Sequence, residues 1–200
     1  SFGMSIYEQM AQILAINEGG YECSRQYLLV GSINDKTKLY IDEICEKPIG
    51  TYCKQDEVEH IRSIITPGVP VEDPDSTVDV FIKKPNGEEI YIDITTAKPN
   101  KKDARALRRK FLRWTAFRLS QDKNAQVFTY LGIPYNPHHP YEYSRSFVLG
   151  NCHPEECLIQ ESLWTLCAGY NLFNELIEVS KQVGKEMKEE IDLFLSTNRT

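Results

Sequence analysis

Two aspartates, Asp79 and Asp93, lie inside two apolar runs joined by a turn signal, in the stretch VDVFIKKPNGEEIYIDITTAKPN at positions 78–100. Carboxylates on adjacent strands can share one divalent cation, so the register between the strands decides what chemistry the pair can do. With a two-residue Asn86-Gly87 loop, Asp79 pairs with Ile94 and the carboxylates face opposite sides. With a three-residue Pro85-Asn86-Gly87 loop, Asp79 lies opposite Asp93, with Cβ atoms about 5 Å apart. Proline suits the second position of a type I turn and glycine suits a positive φ, so the three-residue loop is favoured. Thr95, two residues beyond Asp93, shares that face. Strand aspartates are often simply at an exposed edge; here Ile92 and Ile94 point to a buried strand, where a carboxylate is costly unless paired or bound to metal.

The elements that must position this pair read as follows. Residues 78–84 and 89–95 alternate with period two and are rich in Val, Ile, Phe, Tyr and Thr, which predicts a β-hairpin. Residues 4–17 carry Ile6, Met10, Ile13 and Leu14 at helical spacing, ended by Gly19-Gly20. Glu8 on that helix reads as a solvated glutamate, with a third metal-side carboxylate as the alternative. Periodicity leaves 26–33 and 38–44 unassigned between helix and strand, whereas 56–65 reads as a helix stopped before Pro67 and 66–75 as a proline-rich loop. After Lys98-Pro99-Asn100 a helix is expected over 101–121, then a strand over 125–133 and an aromatic, proline-rich loop over 134–143. Strand, strand, helix, strand implies a mixed sheet with a crossover helix. From about 157 to 200 the apolar spacing is helical and predicts two or three helices packed on the sheet.

Charge is distributed unevenly. The 200-residue chain has a formal net charge of −6, which excludes a generally basic nucleic-acid coat. Yet Lys98, Lys101, Lys102, Arg105, Arg108, Arg109, Lys110, Arg113, Arg118 and Lys123 face only Asp103 and Asp122 within 26 positions. That excess points to a polyanion-facing helix rather than a merely solvated one. With 41% hydrophobic and 26% charged residues the chain has globular composition and is expected to form one domain over 1–200. No apolar run reaches membrane-span length and no signal peptide opens the chain, so a cytoplasmic location with no membrane association is expected. Ser1-Phe2-Gly3 before Met4 reads as a cloning scar. The six cysteines lack framework spacing and are expected to be reduced; Cys152-His153 with Cys157, His138 and His139 is the weaker, zinc-binding alternative.

Facing carboxylates followed directly by a cationic helix are what metal-dependent phosphodiester cleavage requires: metal to polarise the phosphate and activate water, cations to hold the backbone. Asp79 with Asp93-x-Thr95 resembles the PD-(D/E)XK nuclease core. More closely, IDITTAKPN (92–100), IPYNPHHPYEY (133–143), Leu163-Trp164 and VGKEMKEEIDLF (183–194) resemble the TdeIII family of type II restriction endonucleases over roughly 75–195. The first 70 residues show no such likeness.

The resemblance implies an α/β fold with a restriction-endonuclease-like core, a central mixed β-sheet flanked by helices. It implies a Mg²⁺-dependent homodimer that cuts both strands of a short palindromic DNA site, paired in its host with a DNA methyltransferase. By position, Asp79 and Asp93 would be the metal ligands and catalytic acids. The family pattern has lysine where this chain has Thr95, and threonine carries no charge to stabilise the transition state or orient water. Lys98, reaching about 6 Å from the strand end, is one substitute, although its parity is wrong for a regular strand; a non-cleaving DNA binder of the same fold is the alternative. Double-stranded DNA would be met by Lys101, Lys102, Arg105, Arg108, Arg109 and Arg113. Asn136, His138, His139 and Arg145 are donors for base contacts in a loop that a purely structural role fits as well.

Overall fold

A computed structural model describes residues 2–73, 76–99, 101–144 and 146–197. The order is α1 (Phe2–Asn17), β1 (Glu22–Leu28), α2 (Asp35–Cys45), α3 (Lys54–Ile64), β2 (Thr77–Lys83), β3 (Glu88–Ile94), α4 (Lys101–Gln121), β4 (Gln126–Ile133), α5 (Ser146–Leu149), β5 (Cys157–Ile159), α6 (Glu161–Ala168) and α7 (Phe173–Thr197). The five strands form one mixed sheet in the order β1-β2-β3-β4-β5. The first three are antiparallel, and β3, β4 and β5 are parallel. Helix α4 is the crossover between β3 and β4, as the alternation of elements predicts.

The hairpin has the three-residue loop. Lys83 pairs with Glu89, and Lys84 N–H donates to Glu88 O at 2.9 Å, leaving Pro85, Asn86 and Gly87 as the turn. Gly87 has φ 89°, which a side chain would strain, and Asn86 Oδ1 accepts Glu88 N–H at 3.1 Å.

The sheet is covered on both faces, so its central strands are apolar on both sides. One layer buries Tyr91, Leu107, Phe111, Leu112, Trp114 and Leu119 among α2, α3, α4 and α5. The other buries Val80, Ile82, Ile90, Ile92 and Ile94 against α1, α6 and the start of α7. Helix α4 approaches the chain after β1 closely: a Cβ on Gly31 would lie 2.4 Å from Phe117 O.

Two sequence assignments change. The ambiguous segments resolve as a strand over Glu22–Leu28 and a helix over Asp35–Cys45. The helical reading from 157 is corrected at its start, because Cys157, Leu158 and Ile159 pair with Leu131, Gly132 and Ile133 as a parallel edge strand. Backbone pairing with β4 there outweighs a three-residue local preference. No described helix is long and apolar enough to cross a membrane.

Candidate active site

The antiparallel ladder between β2 and β3 is continuous from Lys83–Glu89 to Val80–Ile92, and one further step of the register sets Asp79 against Asp93. At that step the backbone pairing gives way to a side chain: Asp79 Oδ2 accepts the N–H of Ile94 at 2.7 Å. Beyond it β3 stays paired with β4 alone, with Ile94 beside Gly132 and Thr95 N–H on Gly132 O at 2.9 Å. The two strands therefore part where the two carboxylates stand.

Asp79 is pushed up to about 6, chiefly by burial and then by the Asp93 charge; the Ile94 N–H and Lys110 pull the other way, and Glu8 adds to the rise. An acid raised this far is a negative charge short of cations. Lys110, one of ten cations in the basic segment, supplies part of what is missing: its Nζ lies 2.5 Å from Asp93 Oδ1. Helix α1 contributes Glu8, which is 8% exposed rather than solvated. Gln26 Nε2 joins the elements by donating to Glu8 Oε2 at 2.9 Å and to Asp79 Oδ1 at 3.4 Å. Gln26 has φ 48°, a conformation costing about 1–3 kcal/mol that surrounding structure must hold in place. Five elements thus converge on the hairpin end: α1, β1, β2, β3 and α4.

Among the described residues, no three His, Cys, Asp or Glu side chains form a ready-made metal cage. The Cys152, Cys157, His138 and His139 alternative therefore forms no such cluster among the described residues. Mg²⁺ binds through one or two carboxylates and keeps several waters, so Asp79 and Asp93 form a fitting donor set.

The structure places the other expected residues differently from one another. Thr95 is half-buried at the end of β3, and Lys98 is exposed on the following turn. The cation that reaches Asp93 is Lys110, which sequence reasoning counted only among basic residues. Lys101, Lys102 and Arg105 are exposed at the start of α4. Arg108 is not on that basic face: it is 5% exposed, its guanidinium donates to Glu57 Oε1 at 2.5 Å and to Lys47 O at 2.8 Å, and Glu57 is 0% exposed. Burial would raise the Glu57 carboxyl, but hydrogen bonds from His153 and Arg108 hold it below the usual range. Arg109 pairs with Asp42 and Arg113 with Asp73, so their charge is already partly matched within the fold. In the 134–143 loop, Asn136 is committed to structure, donating to Tyr141 O at 2.7 Å while its Oδ1 accepts His138 N–H. His139 is exposed and precedes a cis proline, and Arg145 lies outside the described residues.

A mixed five-stranded sheet between helices, with an acid pair where its central hairpin splays, is consistent with the restriction-endonuclease-like class of α/β folds. The family model for the HinfI type II restriction endonucleases matches residues 1–184, and the chain belongs to that family. It is 23% identical over 210 residues to the type II restriction enzyme MjaII of Methanocaldococcus jannaschii, covering 98% of this chain and 56% of that protein. It is 22% identical over 167 residues to the type II restriction enzyme HgiCII of Herpetosiphon aurantiacus, covering 82% of this chain and 56% of that protein. The chain thus spans little more than half the length of these relatives. No solved structure matches it.

Proposed function

We propose that this chain carries the cleavage centre of a type II restriction endonuclease of the PD-(D/E)XK superfamily, which cuts both strands of a short palindromic DNA site with Mg²⁺. One observation carries the reading: a half-buried, raised Asp79 faces Asp93 where two central strands part, directly before a helix whose first turns expose Lys101, Lys102 and Arg105. The TdeIII-like strings over 75–195 are, on this reading, kinship within the same superfamily.

Asp79 and Asp93 would hold the metal, which when bound polarises the scissile phosphate and lowers the pKa of a bound water. The chain's own residues prepare that site. The Ile94 N–H fixes one oxygen of Asp79, Gln26 fixes the other, and Glu8 keeps the neighbourhood negative. Lys101, Lys102 and Arg105 hold phosphates of the duplex without reading its sequence, and His138 and His139 are the described loop donors nearest in chain order for base contacts.

A palindromic site calls for two copies related by a two-fold axis. An apolar groove of about 500 Å³ between α1 and α7, lined by Met10, Ile13, Leu14, Leu176, Val179 and Val183, supports such a homodimer. The 1–200 stretch would act as one domain in the cytoplasm, beside a methyltransferase that protects the host's own sites.

Incubation of the chain with Mg²⁺ and a sequence-diverse plasmid tests the reading. Discrete double-strand fragments are expected, and Asp93→Asn should abolish them while folding and DNA binding persist. A gel shift with no cleavage would leave a DNA-binding protein of the same fold.

A further inference from the structure

The cleavage reading leaves a gap at Thr95, where the superfamily pattern has a lysine and this chain has none. The geometry points to Lys110 of α4 as the catalytic lysine, delivered to the acid pair from the helix rather than from the strand; the inference rests on the nuclease reading above.

Three observations carry it. Lys110 Nζ lies 2.5 Å from Asp93 Oδ1, so the side chain stands at the acid pair itself. Four arginines of the same helix have carboxylate partners elsewhere, Arg108 on Glu57, Arg109 on Asp42, Arg113 on Asp73 and Arg118 on Glu89, while Arg105 is exposed at its start. Lys110 is the α4 cation assigned to the pair, and its side chain stays partly open to solvent, where a DNA phosphate can reach it. Its position is also held. The Nζ sits 5.0 Å from the ring centre of Trp114, one turn further along α4, and Trp114 and its neighbour Phe111 are buried in the core beneath the sheet. The helix cannot roll Lys110 away without disturbing them.

In the reaction, a water oxygen forms a bond to phosphorus while the bond from phosphorus to one ribose oxygen breaks. The attacking water releases a proton to solvent and the departing ribose oxygen takes one up. Lys110 neither gives nor takes a proton in this step. It stabilises the negative charge that gathers on the phosphate oxygens, the task a lysine at position 95 would have done.

The test compares the wild-type chain with Lys110→Met, Lys110→Gln and the double variant Thr95→Lys/Lys110→Met. Readouts are the single-turnover cleavage rate with Mg²⁺, DNA affinity in EDTA, and the melting temperature with and without Mg²⁺. Loss of one such charge costs on the order of 10²–10³-fold in rate. Both single variants should lose about that much, with DNA affinity within about threefold of wild type. They should also gain more melting temperature from Mg²⁺ than wild type does, because the ammonium no longer competes for Asp93. Thr95→Lys should recover at least ten of the lost factor by restoring an amine on the strand. Single variants that cut within fivefold of wild type overturn the assignment, as does a double variant no faster than Lys110→Met. A wild-type chain that cuts nothing under these conditions instead defeats the nuclease reading itself.

Discussion

Asp79 is built to be unstable in the metal-free protein, and neutralising it should make the fold stronger while destroying its proposed chemistry. Its folded pKa is raised from 3.8 to about 6, burial being the main cause and Asp93 the second. A rise of roughly two units corresponds to at most about 3 kcal/mol of unfavourable ionisation, and partial access of solvent to the carboxyl leaves about 2 kcal/mol at neutral pH. The sign follows from linkage. Between about pH 4 and 6 the folded chain holds a proton that the unfolded chain has lost, so stability falls as pH rises through this window and is flat above it. Asp79→Asn removes the charge but keeps an oxygen that can accept the Ile94 N–H. In EDTA at pH 7.5 its melting temperature should therefore exceed wild type by about 4–8 °C, given about 2–4 °C per kcal/mol for a chain of this size. The gain should shrink to nothing by about pH 4, where both chains are neutral at this position. Adding Mg²⁺ should raise the wild-type midpoint and leave that of the variant nearly unchanged. A variant no more stable than wild type at pH 7.5, or a gain that does not depend on pH, would refute the claim that Asp79 carries an uncompensated charge.

Other outcomes follow from the same geometry. Glu57→Ala leaves Arg108 and His153 buried without their shared carboxylate and should cost about 3–5 kcal/mol, measured by urea denaturation. Because the folded Glu57 pKa is lowered, its contribution is present above about pH 4.3 and lost as pH falls through the folded value, so this network should weaken in acid. Replacing Lys101, Lys102 or Arg105 by Ala should each lower the salt dependence of DNA affinity by about one unit of slope, while Arg108→Met should change stability and leave that slope alone. Gly31→Ala places a Cβ against the α4 backbone at Phe117 and should destabilise by more than about 2 kcal/mol, visible as a lower urea midpoint.

How far the sequence reveals this arrangement depends on how local each cause is. The hairpin register was legible because Pro85-Asn86-Gly87 and the alternating strands act within 20 residues, and the observed turn has that loop length with Gly87 at positive φ. The bounds of α4 were legible for a similar reason, with Pro99 before it and the periodic apolar run within it. The short strand Cys157–Ile159 was not, since its pairing with β4 is a property of the assembled sheet. Nor was the fate of Arg108, whose exposed-looking sequence position is overruled by Glu57, a residue 51 positions away.

The candidate site divides along the same line. Its acids come from one hairpin and can be set opposite each other by a turn rule. The groups that answer those acids come from elsewhere: Lys110 by the crossover of α4, Gln26 from the neighbouring strand and Glu8 from the first helix. Helical periodicity places Lys110 next to Phe111 and four residues before Trp114, but it cannot say which of ten cations turns toward the sheet until the helix has a fixed roll. That roll is set by burying Phe111, Leu112 and Trp114 against the sheet. Packing of the core therefore selects the charge that meets Asp93, and on the proposed reading it is this locked roll that lets the helix stand in for a lysine at position 95.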